Sequence, residues 1–414
     1  MNFLKKIDIY YFITLLFLIL TANASFISTN RLLYLGVIIY LVLLGLSKRL
    51  LTTKDITSFI PFSVVYAVYV FARDFLVNRL DFDYILTDVV FFFKAGFLSF
   101  IFCKILKEKT AYYLVKVISD LTVLSFVFFF IQLLIPDLLY KLFISLSPPT
   151  GQEYVDGYSN LIVFTFTQGL HSYQNSGFVW EPGSFGCFLI LALLLNLFLN
   201  NFKIDNKSKI FTFAIITTFS TTTYLALLIT LFLVYRYRVK KINLGVVALL
   251  CLAISMIIFV PFMADKVTDV YYQDVDKLSK LNVLDSYYRH HTTAPIPLNR
   301  FGSMQYIFDN YTYKLILGVT IDYIKVARIP YNVGISNGVF DFLARFGLAG
   351  LTFLFYNYAK FCFNYAPKKE YIFYCILILF IIGFGEPVLI LPIALMFLFI
   401  DKNSQTIVVT GKAT

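Results

Sequence analysis

Apolar runs of membrane-crossing length recur from one end of the chain to the other, separated by short polar and basic breaks. A helix needs roughly 20 mostly apolar residues to cross a hydrocarbon layer of about 30 Å. On that measure the pattern predicts helical spans near 8–27, 31–47, 56–77, 84–103, 112–135, 243–262 and 337–359. Another span begins in "EPGSFGCFLILALLLNLFL", from Glu181 to Leu199. The runs are continuous, unlike the short alternating segments of a membrane β-barrel. Two runs contain breaks, at "TTFSTTT" (Thr217 to Thr223) and at "GFGEP" (Gly383 to Pro387). Each break predicts two short helices; at the first, hydroxyls can satisfy backbone groups that lipid cannot. For the first, one long tilted span is the alternative.

The expected architecture is therefore all-α: a polytopic helical membrane protein with about 12 transmembrane helices in one integral domain over 1–414. Two large polar segments, 136–176 and 263–336, interrupt it. Such long connections are usually functional or disordered, and their richness in tyrosine predicts ordered surfaces. Within the second, "NRFGSMQYIFDNYTYKLILGV" reads as an amphipathic helix near the interface.

Composition agrees with this pattern. Of the 414 residues 59% are hydrophobic and only 14% charged, where a soluble domain carries nearer about 25%. The net charge of +11 does not point to nucleic acid, because much of it lies in short loops where it sets orientation. Lys5 and Lys6; Lys48, Arg49 and Lys54; Lys104, Lys107 and Lys109; Lys203, Lys207 and Lys209; and Arg236, Arg238, Lys240 and Lys241 mark inside loops. Both termini then lie inside, and 136–176 and 263–336 lie outside. The start, "MNFLKKIDIYYFITLLFLIL", lacks a clear small-residue cleavage site and reads as a first span. The five cysteines are scattered through apolar segments as buried thiols. No zinc spacing, Walker loop or dinucleotide fingerprint is present, so no cofactor or metal is expected.

Charges placed in apolar stretches stand out, since such residues face a bundle interior and pair. They are Lys94, Lys116, Asp120, Asp341 and Glu386, with a Lys94–Asp120 contact as one candidate pair. Glu181 stands at the mouth of its span directly after Trp180, the only tryptophan. A carboxylate there reads either as functional or as a cap on the helix's positive end, with Pro182 at an early helical position.

"NSGFVWEPGSFGCFLILALLL" resembles the "SGxxxEPsxxaxxl" signature of bacterial O-antigen and exopolysaccharide polymerases. "FSTTTYLALLITLFL" is similar to that family's Ser/Thr-rich break. Arg300 in "NRFGSM", then "LILGV" and "SNGVFDFLARFGLAGLTFLF", follow the order of its long periplasmic loop and its exit. The resemblance covers about residues 170–355. Two departures stand out: Gln174 and Asn175 occupy the place of a frequent arginine, and Ser336-Asn337 replaces the His-Asn common in the related O-antigen ligases.

The resemblance implies a bacterial inner-membrane glycosyltransferase of lipopolysaccharide or exopolysaccharide biosynthesis, its termini cytoplasmic. It would transfer an undecaprenyl-diphosphate-linked oligosaccharide onto another lipid-linked repeat unit at the periplasmic face. An O-antigen ligase and a polysaccharide flippase or exporter are the alternatives. Membrane lipids are partners, and a chain-length regulator protein is a further partner left open. The reaction needs cations for the diphosphate, for which Arg300, Arg289 and Arg328 are candidates, with Arg345 just inside the late span. It needs a base for the accepting hydroxyl, Glu181 first, with His290 and His291 as rivals. It needs sugar contacts, for which Trp180, Asn175, Asn337, Tyr158 and Tyr173 are candidates.

Overall fold

A computed structural model describes residues 8–78, 81–150, 157–167, 171–239, 271–291, 295–327 and 331–400, without the side chains of 288–291. It is helical nearly throughout. In chain order the principal elements are α1 (Ile9–Ala22), α2 (Arg31–Ser47), α3 (Ile60–Val77), α4 (Phe82–Phe91), a π-helical turn Phe92–Phe97, α5 (Leu98–Leu106) and α6 (Thr110–Leu134). There follow α7 (Pro136–Leu146), strands β1 (Tyr158–Asn160) and β2 (Thr165–Thr167), α8 (Pro182–Leu199), α9 (Asn206–Thr217) and α10 (Thr221–Arg238). The last part holds α11 (Leu281–His291), β3 (Ile296–Leu298), α12 (Arg300–Tyr311), β4 (Val333–Ile335), α13 (Gly338–Tyr365), α14 (Lys369–Gly385) and α15 (Pro392–Leu395). The predicted span 243–262 lies outside the described residues.

Among the described residues four helical stretches are long and apolar enough to cross a membrane: Thr53–Val77, Phe82–Leu134, Pro182–Leu199 and Gly338–Tyr365. α8 is the central one, with 94% of its apolar window buried, against 17% for Thr53–Val77. A helix apolar on every side must be enclosed by others or by lipid. α3 shows the second case, exposing Val64, Val65, Val68, Phe71 and Phe75. The first run is shorter than predicted, because Asn23 turns left-handed (φ 49°) and ends α1 at Ala22.

Both predicted breaks are present. α9 stops at Thr217, Phe219 takes a left-handed φ of 49°, and α10 runs back from Thr221. The Arg238 Nε–H donates to the Phe202 carbonyl at 3.0 Å, so the two basic ends of this hairpin meet. The single tilted helix is thereby excluded. At the second break α14 ends at Gly385, but the described residues beyond it, to 400, form only the four-residue α15 and a 3-10 turn. Pro387 and Pro392 limit the continuation. This tail folds inward: Ile393 N–H donates to Thr21 Oγ1 at 3.0 Å, and Ser99 Oγ–H to the Pro392 carbonyl at 2.9 Å.

The basic loops gather at one end of the molecule. Lys109 lies over the Tyr10 ring at 4.2 Å and Lys207 over the Tyr112 ring at 5.7 Å. Asp55 lies in the field of Lys107 and Lys104, and Arg236 pairs with Glu370 at 2.6 Å. At the opposite end the polar segments fold onto small cores of their own. α7 and the β1–β2 hairpin enclose Phe129, Leu139, Phe143, Phe164 and Phe166. α11, α12 and the parallel β3–β4 pair enclose Ile296, Tyr306, Ile307, Tyr311, Tyr323 and Val333.

Candidate functional site

Helix ends converge away from the basic loops, and the sequence explains why. Glu181 and Glu386 each precede a proline, which forces the preceding residue out of the helical region. Both are extended, Glu181 at φ −154°, ψ 161° and Glu386 at φ −146°, ψ 150°. Glu181 is therefore the residue from which α8 starts, and Glu386 the residue at which α14 stops. α10, α12 and α13 begin nearby. A Cβ on Gly186 would stand 2.5 Å from Thr223 Cγ2, one on Gly385 2.3 Å from Thr222 Cγ2, and one on Gly338 2.1 Å from the Glu386 carbonyl oxygen.

The two glutamates join through one hydroxyl and also meet carboxyl to carboxyl. Ser184 Oγ lies 3.1 Å from Glu181 Oε1 and 3.3 Å from Glu386 Oε2. Trp180 Nε1–H donates to the same Glu181 Oε1 at 2.7 Å. Arg300 completes the cluster, with Nη2 3.2 Å from Glu386 Oε1 and Nε–H donating to the Gly385 carbonyl at 3.0 Å. The Arg300 side chain is 36% exposed, against 7% for Glu386. Gly183 leaves the room: a Cβ there would stand 2.0 Å from Glu386 Oε1.

Neighbouring side chains hold this arrangement. Asp274 caps α12, accepting from Asn299 N–H at 3.2 Å and Gly302 N–H at 2.8 Å, and so fixes the turn that carries Arg300. Asn337 caps α13 through Phe340 N–H at 3.3 Å and donates to the Arg300 carbonyl at 3.2 Å. Asn337 is fully buried, so it positions Arg300 instead of offering a surface to a sugar. Asn175 is likewise fully buried, and its amide donates to Ser125 Oγ at 3.3 Å and Thr217 Oγ1 at 3.1 Å while its carbonyl accepts from Gly177 N–H at 3.0 Å. It ties the turn before α8 to α6 and α9 and stands apart from the cluster.

Of the other expected residues, Arg289, His290 and His291 form the last turn of α11, with side chains that are not described, and Arg328 lies outside the described residues altogether. Arg345 is not open to a diphosphate: it pairs with Asp341 at 2.9 Å and donates to the Ile321 carbonyl at 2.8 Å. Lys94 lies over the Tyr34 ring at 4.6 Å and Asp120 bonds Tyr11, so the supposed Lys94–Asp120 pair is replaced by two tyrosine contacts. Glu386, expected only to pair, is the residue that links Glu181 to Arg300. Its signal in the sequence is the repeated Glu-Pro step, each copy at a helix end.

A second buried network pins the chain beside the site. Arg73 pairs with Asp88, and Asp88 accepts from Ile321 N–H at 2.9 Å and Thr320 Oγ–H at 3.2 Å. Tyr69 O–H is 2.6 Å from the Leu317 carbonyl, and Asn78 Nδ2–H donates to the Val319 carbonyl at 2.8 Å. These bonds fix 317–321, between α12 and α13, onto α3 and α4.

Chemically the cluster offers a half-open guanidinium, two carboxyls and a shared hydroxyl at the rim of an apolar bundle. That set can bind an anion and accept a proton. Among the described residues no group of three or more His, Cys, Asp or Glu could hold a metal ion. Comparisons of the chain with protein-family models, with curated proteins and with solved structures return no match.

Proposed function

We propose that the chain is a polysaccharide polymerase of about twelve membrane spans in a bacterial inner membrane, with both termini cytoplasmic. It would transfer a lipid-linked oligosaccharide onto a second lipid-linked repeat unit on the outer face. The observation that carries this reading is the joining of Glu181 to Arg300 through Ser184 and Glu386, opposite the basic loops. Basic loops generally orient toward the cytoplasm, which supports a position for the cluster at the periplasmic rim. Arg300 receives the diphosphate with its planar fork. Glu181 takes the proton of the accepting hydroxyl, whose oxygen bonds the donor sugar's anomeric carbon. The carbon–oxygen bond to the diphosphate breaks, and its electron pair leaves with undecaprenyl diphosphate. The His-Asn pair common in the ligases is replaced by Ser336-Asn337, which favours polymerase over ligase. An exporter would need a polar passage, whereas a cavity of about 670 Å³ among the described residues is walled by Phe62, Tyr66, Phe92, Phe342 and Phe346.

The test is reconstitution of the purified full chain in vesicles with undecaprenyl-diphosphate-linked repeat units as sole substrate. Polymer of several repeats is expected. Single units left unchanged, at a protein concentration where the fold is intact, overturn the reading.

A further inference from the structure

We infer that Glu181 and Glu386 hold one proton between them through Ser184, so that one acts as base while the other acts as acid. The donor count and the close approach of the two carboxyls support it. Glu181 Oε1 already receives the Trp180 indole N–H at 2.7 Å and lies nearer to Ser184 Oγ, at 3.1 Å, than Glu386 Oε2 does, at 3.3 Å. A hydroxyl has a single proton. With that proton committed to Glu181, Glu386 Oε2 faces a lone pair of Ser184 Oγ. Two ionised carboxylates there would repel both that lone pair and each other. A proton on Glu386 Oε2 resolves the conflict by donating to Ser184 Oγ, while Glu386 Oε1 still accepts from Arg300.

The charged and titratable groups around the pair are few. α12 brings Arg300, α8 brings Cys187, whose Sγ is 3.6 Å from the Ile382 carbonyl, and α10 and α13 approach with Thr222 and Gly338. Arg300 contacts the protonated partner and not the base. The relay therefore has direction.

The division of roles rests on the reaction proposed above; the shared proton does not. In that reaction Glu181 takes the proton from the accepting hydroxyl. The leaving diphosphate oxygen, held by Arg300, takes the proton from Glu386. Ser184 then passes one proton on, receiving it from Glu181 and giving its own to Glu386. The starting state is restored, and the net transfer is one proton from acceptor to leaving group.

Two measurements on the full chain in vesicles test this. Infrared spectra at neutral pH should show the C=O stretch of a protonated carboxylic acid that is lost in Glu386→Gln. The same band should be lost in Glu181→Gln, because with no second carboxylate opposite it Ser184 turns its hydroxyl to Glu386, which beside Arg300 ionises. A band that persists there overturns the sharing. No such band in the wild type, or a band unchanged in Glu386→Gln, overturns the shared proton. With lipid-linked repeat units, Ser184→Ala should slow turnover by about 100-fold and Ser184→Thr should restore most of it. A wild-type rate in Ser184→Ala overturns the relay. If the wild type forms no polymer, the polymerase reading fails and the infrared band alone decides the proton.

Discussion

Gly318 and Gly347 touch backbone to backbone: a Cβ on Gly318 would stand 2.5 Å from the Gly347 nitrogen, and one on Gly347 2.4 Å from the Gly318 nitrogen. Both residues have positive φ, 80° and 65°. This contact lets the segment after α12 press against a kink in α13, where the Val319 N–H donates to the Ala344 carbonyl at 2.7 Å. Gly347→Ala adds both a backbone strain and a collision. A loss of about 2–4 kcal/mol is expected, read as a lowered midpoint of thermal unfolding in detergent. A midpoint equal to that of the wild type would show that the two segments part easily.

Removal of either end of the cluster should abolish chain growth. Glu181→Gln and Arg300→Ala are each expected to cut polymerisation by at least about 100-fold, leaving single repeat units on the cell surface. Long chains retained on the carrier lipid would indicate a ligase, and units trapped inside would indicate an exporter. Arg300→Lys should rescue little, since an ammonium lacks the planar fork.

Gly183 provides a separate handle. Gly183→Ala drives a methyl into Glu386 Oε1 and must turn that carboxyl away from Arg300. Activity should fall by at least about tenfold with the unfolding midpoint nearly unchanged, because alanine favours the helix it joins. A large drop in stability with full activity in the surviving protein would reverse the assignment of Glu386 to the site.

A pH effect is expected far from the site. Burial pushes the Asp205 carboxyl up, but hydrogen bonds from the Ser208 amide, the Asn196 side chain and the Ser208 hydroxyl outweigh it and hold it below the usual carboxylate range. A depressed folded value means that this stabilisation is complete above about pH 4, the unfolded carboxylate's range, and is lost as pH falls through the folded value. Asp205→Ala should cost about 1 kcal/mol near neutral pH. Asp205→Asn keeps a cap and removes the acid dependence. Unfolding midpoints compared at two pH values check both.

The apolar rhythm made most of the helices legible, and the charge rule correctly folded 206–238 into a hairpin, because Lys203 and Arg238 had to return to one side. The break at Gly383 was legible for the same reason as the one at Thr217: polar or flexible residues interrupt an apolar run. Its continuation was not, since the docking of Ile393 on Thr21 is a long-range contact that no local pattern encodes. Trp180, Glu181 and Arg300 were legible as candidates, and the structure brings the three into one cluster. Asn175 and Asn337 were legible as special but not in their use, because a buried amide that caps a helix and one that meets a ligand leave the same mark in a sequence. Glu386 could be singled out by its position, but its partner depends on how α8 and α14 lie beside each other.

The facing Glu-Pro steps have an evolutionary consequence. Each proline fixes the backbone that presents its acid, and each acid has meaning only opposite the other. A descendant that lost Glu386 would strand Arg300 against an empty helix end, and one that lost Glu181 would leave Ser184 with no second oxygen to serve. Relatives of this chain should therefore carry the two dipeptides together or lack both.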